Sequence, residues 1–455
     1  LFLTFAGQEW VRMDADASSY IGFANSEGIM PLYPLLVFGF RCLFGNNNFI
    51  TALIVFQSVL AAVSVTVFST YILKCFDLRK LEGVLVYLLS LLPFVIYLPE
   101  YSLTHWVMTE GVTYSLFYLF FTFILGFIYT NKYPSLFGAV IVSILMGLTR
   151  SQLLLVIIYM AVIVMVVVTK KVKKNRIVSF IYGFLSSVLI FIFGIGMVMG
   201  IKGYYSNKLY PKLYEEYMQI AYNGSNIENF LIEKLAYSGQ PNSLLKIKAF
   251  YEANPEDVEL FDLESERELF LEIYKALDDN KYLHQYARND LYVWVDLTKD
   301  KIPQVENDIE NAYFSTHPDS GLDSWTTGTH MALQLAKRHW PSILIHSGRI
   351  MLMSLVASVF FQIESIYFWC HVIAILLYFL MIVAIIWSKK MKRNKLYSYL
   401  VTVLGFLVTL IVVTNLALNG VQRYVVYGMG VFYVGLYLFG RELLGELRIL
   451  KDKKQ

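Results

Sequence analysis

The sequence predicts an all-α polytopic membrane protein, and three observations carry that prediction. Hydrophobic residues make up 57% of the chain and charged residues only 16%, whereas soluble domains carry about a quarter charged residues. Apolar runs recur from end to end, many near the roughly 20 residues that a helix needs to cross a hydrocarbon core. Clusters of Lys and Arg follow directly on several of these runs, the arrangement expected of cytoplasmic loops. The aromatic content of 16%, with 33 Tyr and 33 Phe, adds interfacial anchors and packing rings.

About ten crossings are expected. Leu1 to Ala6 reads as the outer end of a first, truncated transmembrane helix, with a cleaved signal peptide as the alternative. Residues 7–48 form a first outer loop. Its polar part holds Met13-Asp14-Ala15-Asp16-Ala17-Ser18-Ser19-Tyr20 and Pro31-Leu32-Tyr33-Pro34. Leu32 to Phe44 is too short to span and is expected to lie along the interface until Asn46-Asn47-Asn48 breaks it. Phe49 to Cys75 spans inward, ending at Lys74, Arg79 and Lys80. Leu81 to Leu98 returns outward, and Pro99 to His105 is a short outer loop. Val107 to Tyr129 goes inward with Glu110 near its outer end. Leu136 to Leu148 and Leu153 to Val168 are compact spans joined at Thr149-Arg150-Ser151-Gln152, the second running into the basic stretch Lys170 to Arg176. With that stretch cytoplasmic, Arg150 falls on the outer side.

Ile177 to Ile201 crosses outward and opens the longest polar region. Its mixed Asp, Glu, Lys and Tyr content and its turn signals predict a mostly helical extracytoplasmic insertion over residues 202–340. Ser342 to Phe361 is read as an outer-side juxtamembrane or re-entrant helix, because Phe368 to Trp387 already supplies the crossing that ends at the basic run Lys389 to Lys395. Leu400 to Leu418 and Val425 to Phe439 are the last two spans. The resulting division is an N-terminal transmembrane module (1–201), the insertion (202–340), a C-terminal transmembrane module (341–440) and a basic cytoplasmic tail (441–455).

Soluble-enzyme chemistry has little support. There is no G-x-G-x-x-G before a helix, no Walker A, no H-E-x-x-H and no G-x-S-x-G. The seven histidines lack metal-ligand spacing. Cys42, Cys75 and Cys370 are far apart and suit packing better than a disulfide framework. The basic clusters are short and juxtamembrane, so nucleic acid is not a partner. Polar residues do collect on one side of the membrane, however: Asp14, Asp16, Glu110, Arg150 and Arg423 all fall at or beneath the outer surface. Arginines offer fixed, bidentate charge for a phosphate, and a carboxylate can accept a proton from an acceptor group.

These residues carry a resemblance. Asp16 followed by Tyr20, Ala24 and Pro31-Leu32-Tyr33-Pro34 resembles the first outer loop of the polytopic GT-C glycosyltransferases, in particular the protein mannosyltransferase and aminoarabinose-transferase-like group. Thr109-Glu110, Gly147-Leu148-Thr149-Arg150, Gln422-Arg423-Tyr424 and the Ala336 to Pro341 run are similar to further elements of that group. The resemblance implies a GT-C-like helix bundle and an inverting transferase. Such an enzyme moves a sugar from a polyprenyl-phosphate donor to a lipid, protein or cell-envelope acceptor at the outer face of a bacterial plasma membrane. It implies Asp16 as acceptor base, with Asp14 as its rival because Asp16-Ala17 stands where the group often has Asp-Glu. Arg150 and Arg423 would hold the donor phosphate. Glu110, Tyr20, Tyr33, His105, Gln152 and Tyr424 would line the substrate cavity. The resemblance leaves a divalent metal open and requires no other cofactor. A lipid or solute transporter or flippase, and a non-catalytic membrane scaffold, are the alternative readings.

Overall fold

The computed structural model describes residues 17, 20–23, 29–96, 102–172, 175–222, 253–280, 302–317, 324–360, 367–417 and 425–452. Among these the regular structure is helical throughout. Six stretches are long and apolar enough to cross a membrane: Leu32–Cys75, Glu110–Thr130, Ser151–Lys171, Arg176–Tyr217, Phe368–Lys390 and Asn394–Thr414. The chain thus has the build of a helical membrane protein. It divides into two compact units, one comprising residues 1–239, 375–409 and 426–455, the other 240–374 and 410–425.

In the first unit, α1 (Leu32–Cys75) is interrupted at Gly45, whose φ of 71° and ψ of 171° suit only a residue without Cβ. The break expected at the three asparagines therefore falls one residue earlier, and the asparagines resume the helix. The half before the break also packs within the unit. Arg41 is buried there, with its guanidinium carbon 4.5 Å from the Phe49 ring centroid and 5.0 Å from that of Tyr217, within cation–π reach of both. The expected crossing at Leu81 to Leu98 is only partly an α-helix. Helix α2 covers Lys80–Ser90, and a 3-10 turn over Leu92–Val95 follows, with Pro93 lacking the N–H that the α-helical ladder needs.

Helix α3 (Glu110–Thr130) is the central element, with almost every side chain from Glu110 to Phe127 buried. At 1.5 Å per residue it is about 31 Å long, close to a hydrocarbon core. It packs against α1 and against α4 (Tyr133–Thr149). Next come a 3-10 turn (Ser151–Leu153), α5 (Leu154–Lys171) and α6 (Arg176–Tyr204). Helices α5 and α6 approach closely where α6 presents glycine: a Cβ at Gly183 would lie 2.7 Å from the Met165 carbonyl, and one at Gly194 would lie 2.7 Å from Ile157.

The helix of the crossing expected over Ile177 to Ile201 runs on past Ile201. Helix α6 passes through a π turn (Tyr205–Leu209) into α7 (Tyr210–Tyr222), because a change from apolar to polar side chains does not interrupt the backbone ladder. Tyr205 and Tyr217 then pack with Phe23 and Phe38, so this continuous helix lies against the polar loop and the first half of α1.

One end of this unit is tied by charged groups. Arg441 Nε donates to Glu82 at 2.8 Å, Lys395 Nζ donates to the Cys75 carbonyl at 3.1 Å, and Arg393 pairs with Glu442 and Glu446. Glu110, at the other end of α3, marks the opposite end of the bundle.

The second unit contains a 3-10 turn (Pro255–Leu260), α8 (Glu264–Asp279), α9 (Ile302–Thr316) and α10 (Ser324–Val359) around Phe261, Leu269, Phe270, Ile273 and Met331. The mostly helical character expected of the insertion holds for these described parts. The juxtamembrane helix expected from Ser342 is the second half of α10, which bends at His339 ahead of Pro341. Buried Asp257 fixes that bend: it accepts from the Asn254 N–H (2.7 Å) and His339 Nε2 (2.8 Å), and Arg338 Nε lies 3.1 Å away. The remaining helices are α11 (Tyr367–Lys390), α12 (Asn394–Ala417) and α13 (Met429–Asp452). The last runs unbroken past Arg441, so the expected tail continues a helix.

Candidate functional site

The site lies in the first unit, at the end opposite the charged ties. Thr109 precedes α3, and Glu110 occupies its first turn, where unpaired backbone N–H groups favour an anion. Arg150 directly follows α4 in an extended conformation (φ −156°, ψ 128°), so the chain changes direction there before the 3-10 turn. These two helix ends meet. Arg150 Nη1 donates to Glu110 Oε1 and, at 3.4 Å, to Thr109 Oγ1, and Thr109 Oγ1 donates to Glu110 Oε2 at 3.1 Å. Glu110 is fully buried, whereas 16% of the Arg150 side chain remains exposed. The carboxylate holds the guanidinium, and the Arg150 side chain is the member of the pair that keeps some exposure.

A third element closes on this pair. Tyr427, in a 3-10 turn (Val426–Gly428) before α13, shares a hydrogen bond of 3.1 Å with Thr113 and lies in the field of both Arg150 and Glu110. Its ring packs edge-on against Tyr114 at 4.4 Å.

The first half of α1 supplies the adjoining wall. The Tyr33 hydroxyl donates to Gln57 Oε1 at 2.9 Å, and Gln57 Nε2 donates to the carbonyls of Thr104 (2.9 Å) and Trp106 (3.1 Å). One buried amide therefore ties both halves of α1 to the turn before α3. Gly111 makes room for it, since a Cβ there would stand 2.7 Å from Gln57 Cδ. Tyr20 packs edge-on to Tyr33 with centroids 4.9 Å apart, and Glu110 acts electrostatically on the same phenol.

Of the expected site residues, the structure thus pairs Glu110 with Arg150 and Tyr33 with Tyr20, and Glu110 acts electrostatically on Tyr33. His105 is buried in the neighbouring 3-10 turn, its backbone N–H bonded to Ser102 O, and burial holds its imidazole below the ordinary value of 6.5. Gln152 is buried two residues beyond Arg150, and neither amide atom has a hydrogen-bond partner among the described residues. Asp14, Asp16, Arg423 and Tyr424 lie outside the described residues. No three His, Cys, Asp or Glu side chains converge among the described residues. The described chemistry is one fixed cation on a buried carboxylate, ringed by phenols and amides.

Sequence reasoning missed Gln57 and Tyr427. Gln57 had a signal: a lone amide in a long apolar run must find partners or a function. Tyr427 had none, being one of many tyrosines. Searches against family models, curated proteins and solved structures return no match. Function must therefore be read from the chemistry of the site.

Proposed function

We propose that the chain is an integral membrane glycosyltransferase that moves a sugar from a polyprenyl-phosphate donor to a lipid, protein or cell-envelope acceptor at the bundle end carrying Glu110. The observation that carries this reading is the Arg150–Glu110 pair: a guanidinium fixed by a fully buried carboxylate, on a side chain that keeps some exposure. A positive charge held in advance is what a departing phosphate needs. Arg150 binds the donor phosphate, Glu110 and Thr109 aim the guanidinium, and Tyr427 and Tyr33 pack around the pair. The polar loop whose resemblance to GT-C glycosyltransferases rests on Asp16 and Tyr20 packs against Tyr33 through Tyr20.

In the reaction, the acceptor oxygen attacks the anomeric carbon from the face opposite the phosphate. A glycosidic C–O bond forms as the bond from that carbon to the phosphate oxygen breaks. The electron pair leaves with the phosphate, whose charge Arg150 and Arg423 meet, and the acceptor proton passes to Asp16. Inversion follows from the direction of attack. The extracytoplasmic face of a bacterial plasma membrane is the proposed location, from the basic clusters on the other side.

The test uses the full chain in lipid with a radiolabelled polyprenyl-phosphate sugar. Asp16→Asn is expected to lose at least about a hundredfold in turnover, the usual contribution of a positioned base, with Asp14→Asn close to wild type. Unchanged turnover in both variants removes the carboxylate mechanism. Passage of intact donor across the bilayer with no covalent product identifies a transporter instead.

A further inference from the structure

At the opposite end of the first unit, a groove of about 580 Å³ runs between α3, α5 and α12, within the range of about 300–1,000 Å³ typical of small-molecule sites. We propose that it binds one anionic glycerophospholipid from the leaflet at that end, an assignment independent of the reaction at Glu110. Lys170 and Lys171 stand at one end of the groove, with Asn131 and Ser398 beside them. Val162, Val166 and Val401 form its walls and are exposed. Tyr159 and Gly405 mark the far end, where the Tyr159 hydroxyl is already taken by the Thr402 carbonyl. The polarity gradient matches an amphiphile: cations at the mouth, hydrocarbon along the length, no polar group left to satisfy at the bottom.

Length narrows the occupant further. From Tyr159 to Lys171 is twelve residues of α5, or about 18 Å. Half a bilayer core is about 15 Å. An acyl chain whose phosphate sits at Lys170 and Lys171 would reach the end of the groove near the midplane. Among the described residues no acidic side chain lines the groove, so its mouth presents positive charge to an anionic headgroup. Lys171 is also held, with its ammonium 5.5 Å from the Tyr133 ring centroid, which lowers the cost of fixing it.

The experiment titrates the full chain in nonionic detergent with dioleoyl phosphatidylglycerol or dioleoyl phosphatidylcholine and counts bound lipid by native mass spectrometry. Phosphatidylglycerol is expected to bind one copy about thirty-fold more tightly, the combined effect of two basic side chains at an anionic surface. Lys170→Gln with Lys171→Gln should reduce it to the level of phosphatidylcholine. Gly405→Phe should weaken both lipids by filling the groove, since a Cβ at that position meets only the Tyr159 ring at ordinary contact distance. Val166→Phe gives the same readout from an exposed wall position if the first variant loses helicity by circular dichroism. Equal affinity for the two lipids in wild type overturns the proposal. So does preference that survives the double lysine change, or binding indifferent to both groove-filling variants. A polyprenyl phosphate that displaces phosphatidylglycerol at equimolar concentration reassigns the groove and likewise overturns it.

Discussion

Arg150 and Glu110, forty positions apart in the chain, join the end of α4 to the start of α3 through a hydrogen-bonded ion pair whose acidic member is fully buried. Removing one partner leaves the other charge desolvated. Glu110→Ala is therefore expected to destabilise the bundle by about 3 kcal/mol, at the lower end of the range for broken buried pairs because Arg150 retains some exposure. Arg150→Met should cost more, because it leaves the fully buried Glu110 carboxylate without its partner, and the double variant should cost less than the sum of the two. Thermal unfolding in detergent across the four proteins measures the coupling, and additive losses would show that the pair is not a unit.

Gly111→Ala tests the amide node. The added methyl meets Gln57 Cδ at 2.7 Å and must push aside a side chain that holds Tyr33, Thr104 and Trp106. A loss of about 1–3 kcal/mol is expected, as for other overpacked cores. Combining it with Gln57→Ala should recover part of that loss by opening the same space. No recovery in the unfolding midpoint would mean that the strain lies elsewhere.

Two glycines of α6 make a controlled comparison. At Gly183 a Cβ would lie 2.7 Å from a backbone carbonyl, whereas at Gly196 nothing stands within 4 Å. Gly183→Ala should separate α5 from α6 and lower stability by about 2 kcal/mol. Gly196→Ala should be neutral or stabilising by up to about 1 kcal/mol, from helix propensity alone. Equal unfolding midpoints for the two variants would contradict the close approach.

His105 gives a pH dependence with a definite sign. Burial lowers its folded value below 6.5, so between the two values the unfolded chain binds more protons than the folded one. Its contribution is complete above pH 6.5 and is lost as pH falls through that value toward the folded one. His105→Gln should flatten the acid side of a stability–pH curve. Curves that superimpose from pH 7 to pH 5 would show that the imidazole titrates normally.

Asp257→Ala should loosen the second unit at one place. It removes the acceptor for the Asn254 N–H and the His339 ring, together with the charge beside Arg338. Loss of a buried paired carboxylate costs about 3 kcal/mol, and here it releases the bend of α10. Limited proteolysis should gain a cut between α9 and the His339 bend while α3 to α6 stay protected. An unchanged digestion pattern would mean that Pro341 alone sets the bend.

Hydropathy made the apolar elements legible because hydrocarbon imposes one length on every crossing. Val107 to Tyr129 was expected and Glu110–Thr130 is found. It was less informative where polarity and backbone part company. Lys202 looks like the end of a helix, yet hydrogen bonding carries the helix on to Tyr222. In the site, charge bias led to the expectation that Glu110 and Arg150 share one side of the membrane, but it could not foretell their contact, since nothing local records which helix ends meet. Gln57 was visible as an anomaly in an apolar run, whereas Tyr427 became distinct only through its position beside Thr113 and Arg150.

The π turn at Tyr205–Leu209 has a consequence in angle rather than in distance. One residue of α-helix is about 100° of rotation, and a π turn shifts everything beyond it in phase. Tyr210, Leu213 and Tyr217 share one face of α7, and that face is the one packed against Phe23 and Phe38. Deleting a single residue within the turn would restore an ordinary helix and swing the tyrosines about 100° off Phe23, three residues from Tyr20. The polar loop is thus clocked by a helix whose apolar part begins at the other end of the bundle.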